Sequence, residues 1–176
     1  MKPTKETYNY HLALNEKRPF LKGRYFLVTD SNNKERYKIL TALGSAYLYS
    51  LPNNKCISRI TPSSIKSRRS VFSTIIDTKK IGELDINGYG ILKAREGTMT
   101  STGWKIEYGP RDTIAYDKDG FPVVKIVDET RYTSDSRKDL FKCTIHFRDQ
   151  SCEMSGLFIL LYIVCEYISV KEYELD

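Results

Sequence analysis

Histidine, cysteine and tryptophan are scarce in this chain: two, four and one among 176 residues. His11 and His146 lie far apart in sequence, and Cys56, Cys143, Cys152 and Cys165 contain no Cys-x-x-Cys pair. Structural zinc needs closely spaced thiolate or imidazole ligands, so no metal is expected. The opening MKPTKETYNY lacks the apolar core of a secretory signal, and Lys2 stands where a myristoylation signal needs glycine. A cytoplasmic location follows, with the thiols reduced and acting as small buried hydrophobes.

Long apolar runs are also missing, with one exception. Residues 154–165, MSGLFILLYIVC, carry no charge and are bounded by Glu153 and Glu166. As a helix this core would rise only about 18 Å, where spanning hydrocarbon takes roughly 20 residues and about 30 Å. A helix apolar on every side but short for lipid is best surrounded by protein. The expectation is a buried helix over residues 152–168, started by Ser151, with no transmembrane span. A β-strand and a membrane anchor are the competing readings.

A catalytic constellation is the third absence. Asp30, Asp77, Asp117 and Asp119 fall at turns, where aspartate serves the local backbone. Cys143 and His146 are three apart in the alternating stretch KCTIHF and so point to opposite faces. The glycines of GELDINGYG and YGPRDT match no phosphate-cradling loop. The chain is expected to be no enzyme and to need no cofactor.

What is present is tyrosine, 13 residues of it, and short alternating runs broken by turns. Runs at 24–30 and 35–40, 45–50 and 55–60, 70–77 and 81–86, and 113–117 and 121–127 each flank a turn rich in Asn, Asp, Lys, Pro or Gly. This is the hairpin signature. Asp30 to Ile39, Asp77 to Ile86 and Asp117 to Ile126 share one spacing, and Ser50 to Ile60 is a residue longer. A repeated hairpin explains this, although any antiparallel meander can produce such spacing. Further strands are predicted over 88–94, 103–109 and 140–147. Residues 1–20 read as a polar extension with a short helix over 7–17, stopped by Pro19. The fold class is all-β. About twelve antiparallel strands in one domain over residues 21–176 would close into a barrel, since open edges invite aggregation.

Two stretches carry a family resemblance. GWKIEYGPRDTIAYDKDGFPVVKIVDE (residues 103–129) resembles a Trp-containing strand, an aromatic-Asp-x-x-Gly hairpin and a Val-Lys-Ile strand of the tubby C-terminal-like superfamily. DLFKCTIHF followed by GLFILLYIVCEYI is similar to that family's last strand and core helix. The compact length suits the LURP-one-related branch, and phospholipid scramblases belong to the same superfamily. The resemblance implies a closed barrel threaded by a hydrophobic C-terminal helix, with phosphoinositide bound outside by Lys and Arg. It does not extend to calcium-driven scrambling, because RDQSCEMS offers only Asp149 and Glu153 where scramblases have a dense acidic segment.

The net charge of +6 permits an anionic partner. The most basic stretch, SSIKSRRSVF, holds Lys66, Arg68 and Arg69 among serines, a combination that suits phosphate oxygens. Lys79 and Lys80 form another cluster, as do Arg18, Lys22 and Arg24. The plain alternative is a solvated loop. The expected partner is therefore an anionic membrane surface contacted peripherally, through Lys66, Arg68, Arg69, Lys79 and Lys80. A protein-interaction scaffold is the second reading, and a nucleic-acid-binding barrel the third.

Overall fold

The computed structural model describes residues 8–16, 24–42, 45–62, 69–73, 80–87, 95–99, 102–109, 111–130 and 141–173. The strands are β1 (Tyr8–Glu16), β2 (Arg24–Asp30), β3 (Glu35–Ala42), β4 (Ser45–Ser50), β5 (Lys55–Pro62), β6 (Arg69–Ser73) and β7 (Lys80–Asn87). They continue with β8 (Arg95–Met99), β9 (Trp104–Tyr108), β10 (Asp112–Tyr116), β11 (Pro122–Asp128) and β12 (Lys142–Phe147). A 3-10 turn, Gln150–Cys152, leads into the helix α1 (Glu153–Tyr173). Each strand pairs antiparallel with its sequence neighbours, and β1 bonds to both β2 and β12, so the ladder returns to the strand where it began.

Alternation sorts the side chains. Phe26 and Val28, Ile39 and Thr41, Ala46 and Leu48, and Thr113 and Ala115 are buried, while the residues between them are only partly so. One face of the sheet is therefore a core face, as the period of two dictates. That face meets α1. Leu157, Ile159, Leu160, Leu161 and Val164 are wholly shielded from solvent. With Phe158 and Tyr162, also buried, these positions lie all round a helix of 3.6 residues per turn, so protein must cover it on every side. The helix touches β4, β5 and β12, and Tyr162 packs on Tyr108 of β9 with ring centroids 5.8 Å apart. Each buried Leu or Ile contributes about 1.5–3 kcal/mol relative to exposure, which makes this cluster the main stabilising element. Among the described residues, no helix is long and apolar enough to cross a membrane.

Several expectations need correction. The segment read as a short helix over residues 7–17 is β1, where Tyr8, Tyr10, Leu12 and Leu14 recur every second residue. That period belongs to strands, and ladder partners on both sides override the weak helical signal. The expected polar extension over 1–20 thus contributes a strand to the sheet. β8, with the sequence REGTM, lacks alternating apolar residues and is held by its ladders with β7 and β9. The strand expected over 88–94 and residues 74–77 of the run over 70–77 lie outside the described residues. α1 runs past residue 168 to Tyr173, since neither glycine nor proline interrupts it after Gly156. Its approach is capped by Asp149 rather than Ser151: the Asp149 carboxylate accepts from the Ser151 amide at 2.9 Å.

The repeated hairpin is visible in two turns. Asp30 accepts from the amides of Asn32 and Lys34, at 2.9 and 3.0 Å. Asp117 accepts from those of Asp119 and Phe121, at 3.0 and 2.9 Å. The fourth residue is left-handed in both, Asn33 with φ of 59° and Gly120 with φ of 80°. These residue types tolerate that conformation best. The third turn also has a left-handed asparagine, Asn54 with φ of 53°, one residue later in its longer loop. The corresponding turn after Asp77 lies outside the described residues.

Gly156 marks a close approach of helix to sheet. A methyl group there would collide with the Phe147 ring and come within 3.1 Å of the Val124 side chain. Helix propensity alone favours alanine over glycine by about 1 kcal/mol. Overpacking a core costs about 1–3 kcal/mol and should prevail. Gly156→Ala is therefore expected to lower the urea midpoint of unfolding, and a raised midpoint would show that the contact is loose.

Candidate functional site

The five cations singled out from sequence do not form one described cluster. Lys66, Arg68 and Lys79 lie outside the described residues. Arg69 opens β6 opposite Asp85, and Lys80 opens β7 opposite Ser73. These positions are at opposite ends of the β6–β7 ladder, about four residues or 13 Å apart along the strands. Arg69 and Lys80 are therefore not neighbours on that ladder. Of the other basic group, Arg18 and Lys22 also lie outside the described residues. Arg24 starts β2, with its amide donating to the Thr41 hydroxyl at 3.1 Å.

A different set of residues is brought together on β2–β5, on the face turned away from the core. Register aligns Leu27, Lys38, Tyr49 and Cys56 in one row across the strands. Tyr25, Leu40, Tyr47 and Arg59 form the adjacent row. Neither row holds a carboxylate, and the nearest acid in register is Glu16, at the margin opposite Tyr25. The Lys38 ammonium lies 4.9 Å from the Tyr49 ring centroid and 5.9 Å from that of Tyr25. Both distances are within cation–π range. Arg59 is exposed and the tyrosines are half-buried. Burial, chiefly, and the Cys56 thiol raise the Tyr49 phenol above its ordinary value, so it stays a neutral donor near pH 7. Sequence reading missed this face because its members come from separate strands. The available signal was tyrosine at the non-core phase of RYFLVTD and SAYLYS.

A second polar group surrounds the start of α1. The Tyr37 hydroxyl donates to the Glu153 carboxylate. Tyr10 meets Tyr37 edge-on at 6.0 Å and Phe147 at 5.3 Å. Burial first, then the neighbouring Glu153 carboxylate, pushes Tyr10 up to about 12 and raises Tyr37 well above its ordinary value. Phenols held so firmly in the protonated form anchor the helix start and are poor proton acceptors. Beside them, Arg148 donates to Asp117 at 2.5 Å and to Asp149 at 3.3 Å. The guanidinium contact is the main reason that the Asp117 carboxyl sits below its usual range.

The remaining candidates keep structural roles. Cys143 faces the core and His146 the opposite side, where it bonds Asn9 at 2.7 Å. His11 bonds Thr144 at 3.2 Å on the same outer strip. Burial raises the thiols of Cys56, Cys143 and Cys152, which suppresses nucleophilic thiolate. Trp104 packs partly buried against the core cluster. Among the described residues, no group of three or more His, Cys, Asp or Glu could hold a metal ion.

The raised phenols give a signed pH expectation. A phenol near 10 when unfolded and higher when folded supports the fold fully below pH 10 and loses that support as pH rises toward 12. Unfolding by urea at stepped alkaline pH should show falling stability across this window, and a less steep fall in Tyr10→Phe. Identical slopes in the two proteins would deny Tyr10 this role. At neutral pH, Tyr37→Phe should cost about 1.5–3 kcal/mol by loss of a hydrogen bond to a charged group. No family model, curated protein or solved structure matches this chain.

Proposed function

We propose that the chain is a non-enzymatic binding module, a closed tubby-like barrel around its own helix, that docks peripherally on anionic phospholipid headgroups in the cytoplasm. The observation that carries this reading is the complete burial of Leu157, Ile159 and Leu160 against the sheet. The interior is occupied by the chain itself, so a ligand is sought on the outside. The sequence places cations of both types among serines at Lys66, Arg68 and Arg69, with Lys79 and Lys80 after the next strand. Guanidinium forks and hydroxyls complement phosphate oxygens, and each Lys or Arg near an anionic bilayer adds about 1 kcal/mol of attraction.

A protein-interaction scaffold is the second reading. It is favoured by Phe121, 63% exposed at a hairpin tip, and by Met154, 40% exposed at the helix start. Phe and Met are enriched at protein–protein interfaces relative to the rest of the surface.

Flotation with liposomes that contain or lack phosphoinositide separates the two readings. Headgroup docking is expected to carry the protein upward only with phosphoinositide vesicles, and the triple variant Lys66→Gln, Arg68→Gln, Arg69→Gln should stay at the bottom. Undiminished flotation of that variant would refute these residues as the site. Absence of flotation under any lipid composition would leave the scaffold reading.

A further inference from the structure

We infer that the outer face of β2–β5 is a platform for single-stranded nucleic acid, with tyrosine rings receiving bases and Lys38 and Arg59 receiving phosphates. This goes beyond headgroup docking, and it uses different residues. Tyr47 and Tyr49 are two residues apart on one strand face, a separation of about 6.8 Å, and Tyr25 stands two strands away, about 9.6 Å across the sheet. Rings at such intervals can accept successive bases, because every base has a π-face. Cations fall between and beside the rings. Lys38 is held by Tyr25 and Tyr49, and Arg59 lies in register with Tyr47.

Charge complementarity selects the occupant. The two outward rows hold Lys38 and Arg59 and no carboxylate, within a chain of net charge +6. Duplex DNA or RNA would present phosphates to these cations but keep its bases stacked away from the rings. A bilayer would offer headgroup phosphates to the two cations but no flat rings for the faces of Tyr25, Tyr47 and Tyr49 to stack against. An unpaired strand uses rings and cations together.

The experiment is fluorescence anisotropy of labelled oligothymidylate and oligouridylate with the full chain, at several salt concentrations. Binding should be salt-sensitive, with a logarithmic slope of about −1.4 if two phosphates are neutralised, and Lys38→Gln or Arg59→Gln should each remove about 0.7 of it. Tyr47→Ala and Tyr49→Ala should each weaken binding roughly tenfold or more. Tyr49→Phe, which keeps the ring, should bind like the parent and guards against a variant that merely misfolds. The triple variant at Lys66, Arg68 and Arg69 should also bind oligonucleotide normally, so failure of the headgroup reading leaves this one standing. Any of three results overturns the proposal: no binding of either oligonucleotide, equal binding of duplex, or binding indifferent to removal of both rings. Anionic vesicles captured through Tyr47 and Tyr49 in place of oligonucleotide would overturn it as well, and would assign the face to lipid.

Discussion

The fold depends on one constraint: the stretch of helix from Leu157 to Val164, apolar on every side, has to be kept from water all the way round. A flat sheet could cover only one side of α1. The residues buried on the helix project in all directions, and they meet strands as far apart in the ladder as β4, β9 and β12. The sheet curls because its core face must reach every one of them. Gly156 shows how tight the arrangement is, since one methyl group there would strike Phe147. The phenols of Tyr10 and Tyr37 fix where the helix begins, through Glu153.

Much of this was legible because local rules and tertiary demands agreed. The runs at 24–30 and 45–50 correspond to β2 and β4 to the residue, since a clean period of two was bounded by turn formers. The apolar tail announced a buried helix by being too short for lipid. Where local signal was weak or divided, sequence failed. Tyr8–Glu16 carries the strand period in Tyr8, Tyr10, Leu12 and Leu14, but the good helix formers Leu and Ala stand within it, and pairing with β2 and β12 decides it. REGTM has no pattern at all, and it is a strand because two neighbours require one.

The candidate site was less legible than the fold. Charge clusters are contiguous in sequence and easy to notice, which directed attention to residues 66–69 and 79–80. Register sets Arg69 and Lys80 at opposite ends of their ladder. The Tyr25, Lys38 and Tyr49 grouping arises from three strands and has no contiguous signature. It follows from alternation plus pairing: once Phe26, Ile39 and Leu48 face inward, their neighbours must share the outer wall. A sequence can state which residues leave the core, but it takes the ladder to state which of them meet.

The order of elements along the chain bears on how the molecule is made. α1 comes after every strand that covers it. Synthesis proceeds from the N-terminus at about 5–20 residues per second. All the strands therefore leave the ribosome before the segment that completes their core. During that interval the inner rows of Phe26, Ile39 and Leu48 have nothing to pack on, and the nascent wall is a sticky, half-finished surface. A chain cut before Glu153 would lack the segment that fills the core.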